Sequence, residues 1–138
     1  MILDDQIMAY HLMRCLILTA MADSVLAEAE SEVLEHSVRV LGQIDPELWE
    51  RTWAELRQDV DPSLVFAEVP EDMRLRRFIL REMAMIAIAD GQYHAQEERL
   101  ITLAAESFGL GQEVERFVAW AHGAQAIFEE GEALLSPT

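Results

Sequence analysis

The stretch from Met83 to Gly109 most constrains what this chain can fold into. It reads Met-Ala-Met-Ile-Ala-Ile-Ala-Asp-Gly to Gly91, then Gln-Tyr-His-Ala-Gln-Glu to Glu97, then Glu-Arg-Leu-Ile-Thr-Leu-Ala-Ala-Glu-Ser-Phe-Gly to Gly109. An apolar helix runs into Asp90-Gly91, a short turn follows, and an amphipathic helix with Glu97 in its first turn stops at Gly109. The pattern occurs earlier as well, from Leu16 to Asp23, through Glu30, to Gly42. The offset that pairs Asp23 with Asp90 also pairs Ala22 with Ala89, Glu30 with Glu97, Leu41 with Phe108, Gly42 with Gly109 and Trp53 with Trp120. Asp, Glu, Gly and Trp matching together at one offset point to an internal duplication.

No segment alternates apolar and polar residues as a half-buried strand would. The expected architecture is all-α: one compact helical domain over residues 1–138. Its two halves, approximately 12–56 and 79–123, meet near Asp61 to Pro70 and are related by a pseudo-twofold axis.

Helices are expected over 3–22, 28–41, 46–60 and 62–68, then from Pro70 to Ala89, over 95–108, and over 112–134 with a weak point at Gly123. Asp45-Pro46 and Asp61-Pro62 are start signals, an N-cap followed by Pro at the first helical position. Leu12, Leu16, Ile17, Thr19 and Ala20 share the inner face of the first helix. Leu48, Trp49, Thr52, Trp53 and Leu56 make the stripe of the third. Met8, Met13, Met21, Met83 and Met85 read as core filling, and Trp53 and Trp120 as core or inter-half packing. Arg74, Arg76, Arg77 and Arg81 read as a salt-bridged face, since no Gly-rich loop accompanies them as in a phosphate site.

The formal net charge is −16, which repels nucleic acid and anionic lipid surfaces and permits cations or a basic protein patch. Cys15 is the only cysteine, so neither an intrachain disulfide nor a thiolate metal site can form; it reads as an inert core residue. Asp4 and Asp5 stand where a signal peptide would be basic, and charge interrupts every apolar run before membrane-spanning length. A cytoplasmic protein with no direct membrane insertion is expected.

In each half an Asp ends one helix and a Glu lies in the first turn of the next. A pseudo-twofold axis could bring Asp23, Glu30, Asp90 and Glu97 together. Such oxygen ligands suit hard divalent cations, and His94 would add a nitrogen that shifts preference toward transition metals. The same residues also have a purely structural reading. Glu30 and Glu97 occupy the N3 position of a capping box, bonding back toward Ala27 and His94, and Asp23 and Asp90 can cap their own turns. The two roles are compatible. The run from Asp90 is not an EF-hand, because Gly91 and Ile101 fall at positions 2 and 12 of the loop. No zincin motif, di-iron Glu-x-x-His pair or nucleophile elbow occurs, so no enzyme is expected.

Ala89-Asp90-Gly91, Glu97, Leu100-Ile101 and Phe108-Gly109, with the weaker copy Ala22-Asp23, Glu30 and Leu41-Gly42, resemble the TerB-like family, the tellurite-resistance TerB proteins and their relatives. The first copy departs from the pattern, with Ser24 in place of the Gly and no Tyr-His pair. The resemblance spans about Leu12 to Trp120. It implies an all-helical fold of two related halves and an acidic site linked to metal ions. It also implies bacterial stress-response or membrane-associated complexes as context. The expected function is a non-enzymatic domain that binds a divalent cation of unspecified identity at Asp23, Glu30, Asp90, Glu97 and His94, linked to tellurite resistance and stress response. The alternative is a protein-interaction module in which these carboxylates only cap helices. Partners would be proteins, with a homodimer possible.

Overall fold

The computed structural model describes residues 6–22, 46–56, 60–89 and 93–135. Six α-helices fall within them: α1 (Gln6–Ala20), α2 (Pro46–Leu56), α3 (Pro62–Ala67), α4 (Met73–Ala87), α5 (Ala95–Ser107) and α6 (Val114–Ala133). A 3-10 turn, Gly111–Glu113, leads into α6, and no strand occurs among the described residues. The expected helix over 28–41 and the turn residues Asp23, Asp90 and Gly91 lie outside them.

α1 is the hub. It packs against α2, α3, α4 and α5. Leu12, Met13, Cys15, Leu16, Ile17 and Ala20 are all fully buried, because an apolar stripe wide enough to face four helices must run around much of the cylinder. The hydroxyl of Thr19, buried with them, donates to the Cys15 carbonyl at 2.8 Å, so its burial leaves that donor satisfied. The Cys15 thiol is pushed up to about 12 by burial, which makes it a packing residue and no nucleophile at neutral pH.

The sequence offset also relates the bounds of two helices. The offset that pairs Ala22 with Ala89 carries Gln6 onto Met73 and Ala20 onto Ala87, the two ends of α4. Leu12 and Ile79, Met13 and Leu80, Leu16 and Met83, and Ala20 and Ala87 are matched pairs, every member buried. α1 and α4 pack on each other, so the two stripes share one core.

Three boundaries carry recognisable chemistry. At α3, Asp61 accepts from the Ser63 N–H at 3.0 Å, with Pro62 opening the helix as expected. α4 starts at Met73 and not near Pro70, because the Asp72 carboxylate accepts from the N–H groups of Arg74 (3.0 Å) and Leu75 (3.2 Å). That double cap satisfies two first-turn donors, which Pro70 could not do. α5 ends where Gly109 adopts φ 76°. The Gly109 N–H donates to the Glu106 carbonyl at 3.2 Å and the Leu110 N–H to the Ala105 carbonyl at 2.7 Å. This pair of bonds is the Schellman motif, and glycine takes the left-handed position without a Cβ penalty.

Two expectations change. Gly123 does not interrupt α6, which runs unbroken from Val114 to Ala133. One interior glycine costs only about 1 kcal/mol in helix propensity. Trp120 is no core residue: it is 48% exposed, whereas its counterpart Trp53 is half-buried against the core. The side chain of Trp49 lies outside the described residues.

Candidate functional site

Of the five residues expected to ligate a cation, Asp23, Glu30 and Asp90 lie outside the described residues. Glu97 and His94 sit together at the start of α5. His94 is the N-cap, extended at φ −75°, ψ 152°, and Glu97 is the N3 residue. The Glu97 carboxylate accepts from the His94 backbone N–H at 3.3 Å, the bond a capping box requires. Glu97 is fully buried, while Glu98 beside it is exposed. A buried anion at a helix N-terminus is favoured by the helix dipole and by the first-turn N–H groups. Tyr93 leads into this turn, and burial first, then the charges of Glu98 and Glu97, push its phenol up to about 12. Its ring lies 6.3 Å from that of His122 on α6.

Among the described residues no group of three or more His, Cys, Asp or Glu side chains is arranged to hold a metal ion. A hard divalent cation takes six or more oxygens. Glu97 and His94 would therefore need the undescribed carboxylates to complete a site.

Two further clusters were not singled out as sites in the sequence. The first lies at α1. Arg14 is 5% exposed, yet it ion-pairs with Glu68 at the end of α3 and approaches Glu55 of α2 at 3.5 Å. Its guanidinium lies 5.1 Å from the centre of the Tyr10 ring. One cation thus ties three helices together. Neighbouring His11 is held below its ordinary pKa by burial and by the charge of Arg14.

The second cluster lies where α4 meets α6. Arg77, Arg81 and Arg116 border a shallow groove of about 260 Å³ with Glu113, Phe117 and Trp120. Arg77 grips Glu113 with two bonds, 3.1 and 2.5 Å, and Arg116 adds a third at 3.1 Å. These bonds hold the Glu113 carboxyl below its usual pKa. Of the four arginines expected to form a salt-bridged face, Arg77 pairs with Glu113 and Arg81 with Glu82 at 3.0 Å, whereas Arg76 donates to backbone carbonyls. Arg81 lies 5.5 Å from the Trp120 ring centre and 5.2 Å from that of Phe78. Arg81 also lies at the offset position of Arg14, although the rings beside the two arginines, Tyr10 for one and Phe78 and Trp120 for the other, are not offset partners.

Beyond this groove, α6 carries its apolar residues outward. Ile127 is 70%, Phe128 63%, Leu134 85% and Leu135 79% exposed. Phe117, Trp120, Ala124, Ile127, Gly131 and Leu134 follow one another at alternating three- and four-residue spacings, the period of a helix–helix seam. That signal was present in the sequence; what covers the stripe was not. No helix among the described residues is long and apolar enough to cross a membrane. Compared with protein-family models, with curated proteins and with solved structures, the chain shows no match.

Proposed function

We propose that this chain is a non-enzymatic, TerB-like interaction module of two pseudo-twofold related halves. It acts by presenting the outer face of α6, and the arginine groove beside it, to a protein partner. The observation that carries this reading is the exposure of Trp120, Ile127 and Phe128 on α6 and of Leu134 and Leu135 just past its end, while α1 and α4 bury their apolar stripes in the core. Contiguous exposed apolar surface of that kind marks interaction sites. The resemblance to TerB-like proteins supplies the bacterial stress-response setting, tellurite resistance and membrane-associated complexes included. The single cysteine and acidic surface suit the cytoplasm.

In this reading Glu97 is a cap. The competing role, a divalent cation held by Asp23, Glu30, Asp90, Glu97 and His94, is favoured by the full burial of Glu97 next to His94. Thermal melts of chelator-treated protein, with and without Ca²⁺, Mg²⁺, Mn²⁺ or Zn²⁺, separate the two. As a cap, Glu97→Ala lowers stability by about 0.5–2 kcal/mol, and no ion shifts the midpoint. A gain of about 2.7 kcal/mol at a hundredfold excess of an ion over its Kd, lost in Glu97→Ala, would overturn the purely structural role.

A further inference from the structure

We propose that the partner seated on the outer face of α6 is a second copy of this chain, packed antiparallel about a twofold axis near residues 124–127. The inference rests on the interaction-module reading and names the occupant of that surface. Three features of α6 point to it.

The first is size. Along the seam the side chains run Phe117, Trp120, Ala124, Ile127, Gly131 and Leu134. Antiparallel pairing about the centre of that run sets Phe117 opposite Leu134, Trp120 opposite Gly131 and Ala124 opposite Ile127. Each pair except the outermost joins a large side chain to a small one, as seams that interdigitate require. A Cβ added at Gly131 would meet no atom within 4 Å. The glycine therefore answers no close approach among the described residues, and it leaves a hollow of the kind an indole fills.

The second is charge. The whole chain carries −16, and all ten of its basic residues are arginine. Three of them, Arg77, Arg81 and Arg116, border the groove at one end of the face. Glu129, Glu130 and Glu132 crowd the other end. A parallel pair would stack like on like. An antiparallel pair lays each acidic end on the partner's three arginines, which outnumber their own-chain partners Glu113 and Glu82, and so offsets part of the mutual repulsion of two acidic chains. α4 packs on α6, and Glu132, about five turns from Val114 at 3.6 residues per turn, continues the line of core-facing Val114 and Ala121 on that side of the helix. In an antiparallel pair equal flanks meet, so Glu132 of one copy reaches Arg81 of the other.

The third is geometry. The seam from Phe117 to Leu134 spans roughly 25 Å at about 1.5 Å per residue. Its distal half, from His122 to Leu135, is largely exposed, with only Ala124 and Gln125 partly buried among the described residues. A helix that projects its apolar residues into water is stable only once that surface is covered.

Sedimentation velocity on the full chain over a dilution series tests the proposal. The wild type is expected to dimerise. Ile127→Glu is expected to raise the dimer dissociation constant at least about thirtyfold, as loss of a central anchor does. The residue is mostly exposed within one chain, so unchanged far-ultraviolet circular dichroism will show that this variant folds. Arg81→Glu is expected to weaken the dimer about tenfold through like-charge contact, and adding Glu132→Arg to restore it. A wild type that stays monomeric at every concentration overturns the dimer. A dimer indifferent to Ile127→Glu overturns this face, and an Arg81→Glu defect that Glu132→Arg fails to repair overturns the antiparallel register. A monomer whose α6 face captures a different protein would remove the second copy and leave the interaction-module reading intact.

Discussion

Phe108→Ala is expected to lower the stability of the fold by about 3–5 kcal/mol, the range for truncating a fully buried aromatic side chain. Phe108 is completely buried at the C-terminal end of α5. Its ring meets Phe66 of α3 edge-on, 5.9 Å between centres at 76°, a geometry that adds to simple area burial. The guanidinium of Arg76 on α4 lies 5.8 Å from the Phe108 ring centre, and it also donates to the carbonyls of Pro70 (3.0 Å) and Val69 (3.1 Å). The ring therefore joins α5 to α3 and fixes the loop between α3 and α4. Gly109 follows directly and fixes the chain's exit, so the surrounding backbone has little freedom to collapse into the space left. Urea unfolding at one fixed protein concentration measures the loss. A change under about 1 kcal/mol would show that Phe108 does not hold these elements together.

The second large effect concerns Arg14, and it is an asymmetry. Glu68→Ala is expected to cost about 1–3 kcal/mol, whereas Arg14→Met is expected to be close to neutral. Arg14 is nearly buried, but the side chains of Glu55 and Glu68 are 48% and 58% exposed. Removing Glu68 strands a cation that has already lost its water, leaving it among the described residues the 3.5 Å contact to Glu55 and the face of the Tyr10 ring. Removing the cation returns two carboxylates to solvent, where they are satisfied. Methionine keeps much of the buried stem, and replacing a buried ion with an apolar side chain of similar length is often neutral or better. The buried Nε of Arg14 finds no hydrogen-bond partner among the described residues, so part of its desolvation is already uncompensated. Urea unfolding of both variants decides it; an Arg14→Met loss larger than that of Glu68→Ala would contradict the argument.

Much of the helical frame was legible in the sequence because its signals are local. The period of Leu12, Leu16 and Thr19 fixed the inner face of α1, Asp61-Pro62 the start of α3, and Gly109 the end of α5. The offset read from the sequence also relates the bounds of α1 to those of α4. What escaped depends on the competition between neighbours. Pro70 and Asp72 both resemble helix starts, and the carboxylate that reaches two N–H groups wins. Trp120 looked like core because a helical period marks an apolar stripe without showing what lies against it. The candidate site divides in the same way. Position N3 was enough to place Glu97 as a cap. Its use by a cation depends on where Asp23, Glu30 and Asp90 stand, and those residues lie outside the described ones.

The central claim is that α6 works through its outer face, and site-specific photo-crosslinking inside cells tests it most directly. A benzophenone amino acid at position 127 sits in the middle of the seam; one at position 106 sits on the exposed side of α5, away from it. On irradiation, position 127 is expected to yield one discrete protein adduct and position 106 none. An adduct of twice the chain mass identifies a second copy, and any other discrete mass a different partner. No adduct at 127, or the same smear of products from both positions, would contradict the claim that this face is the working surface of the protein.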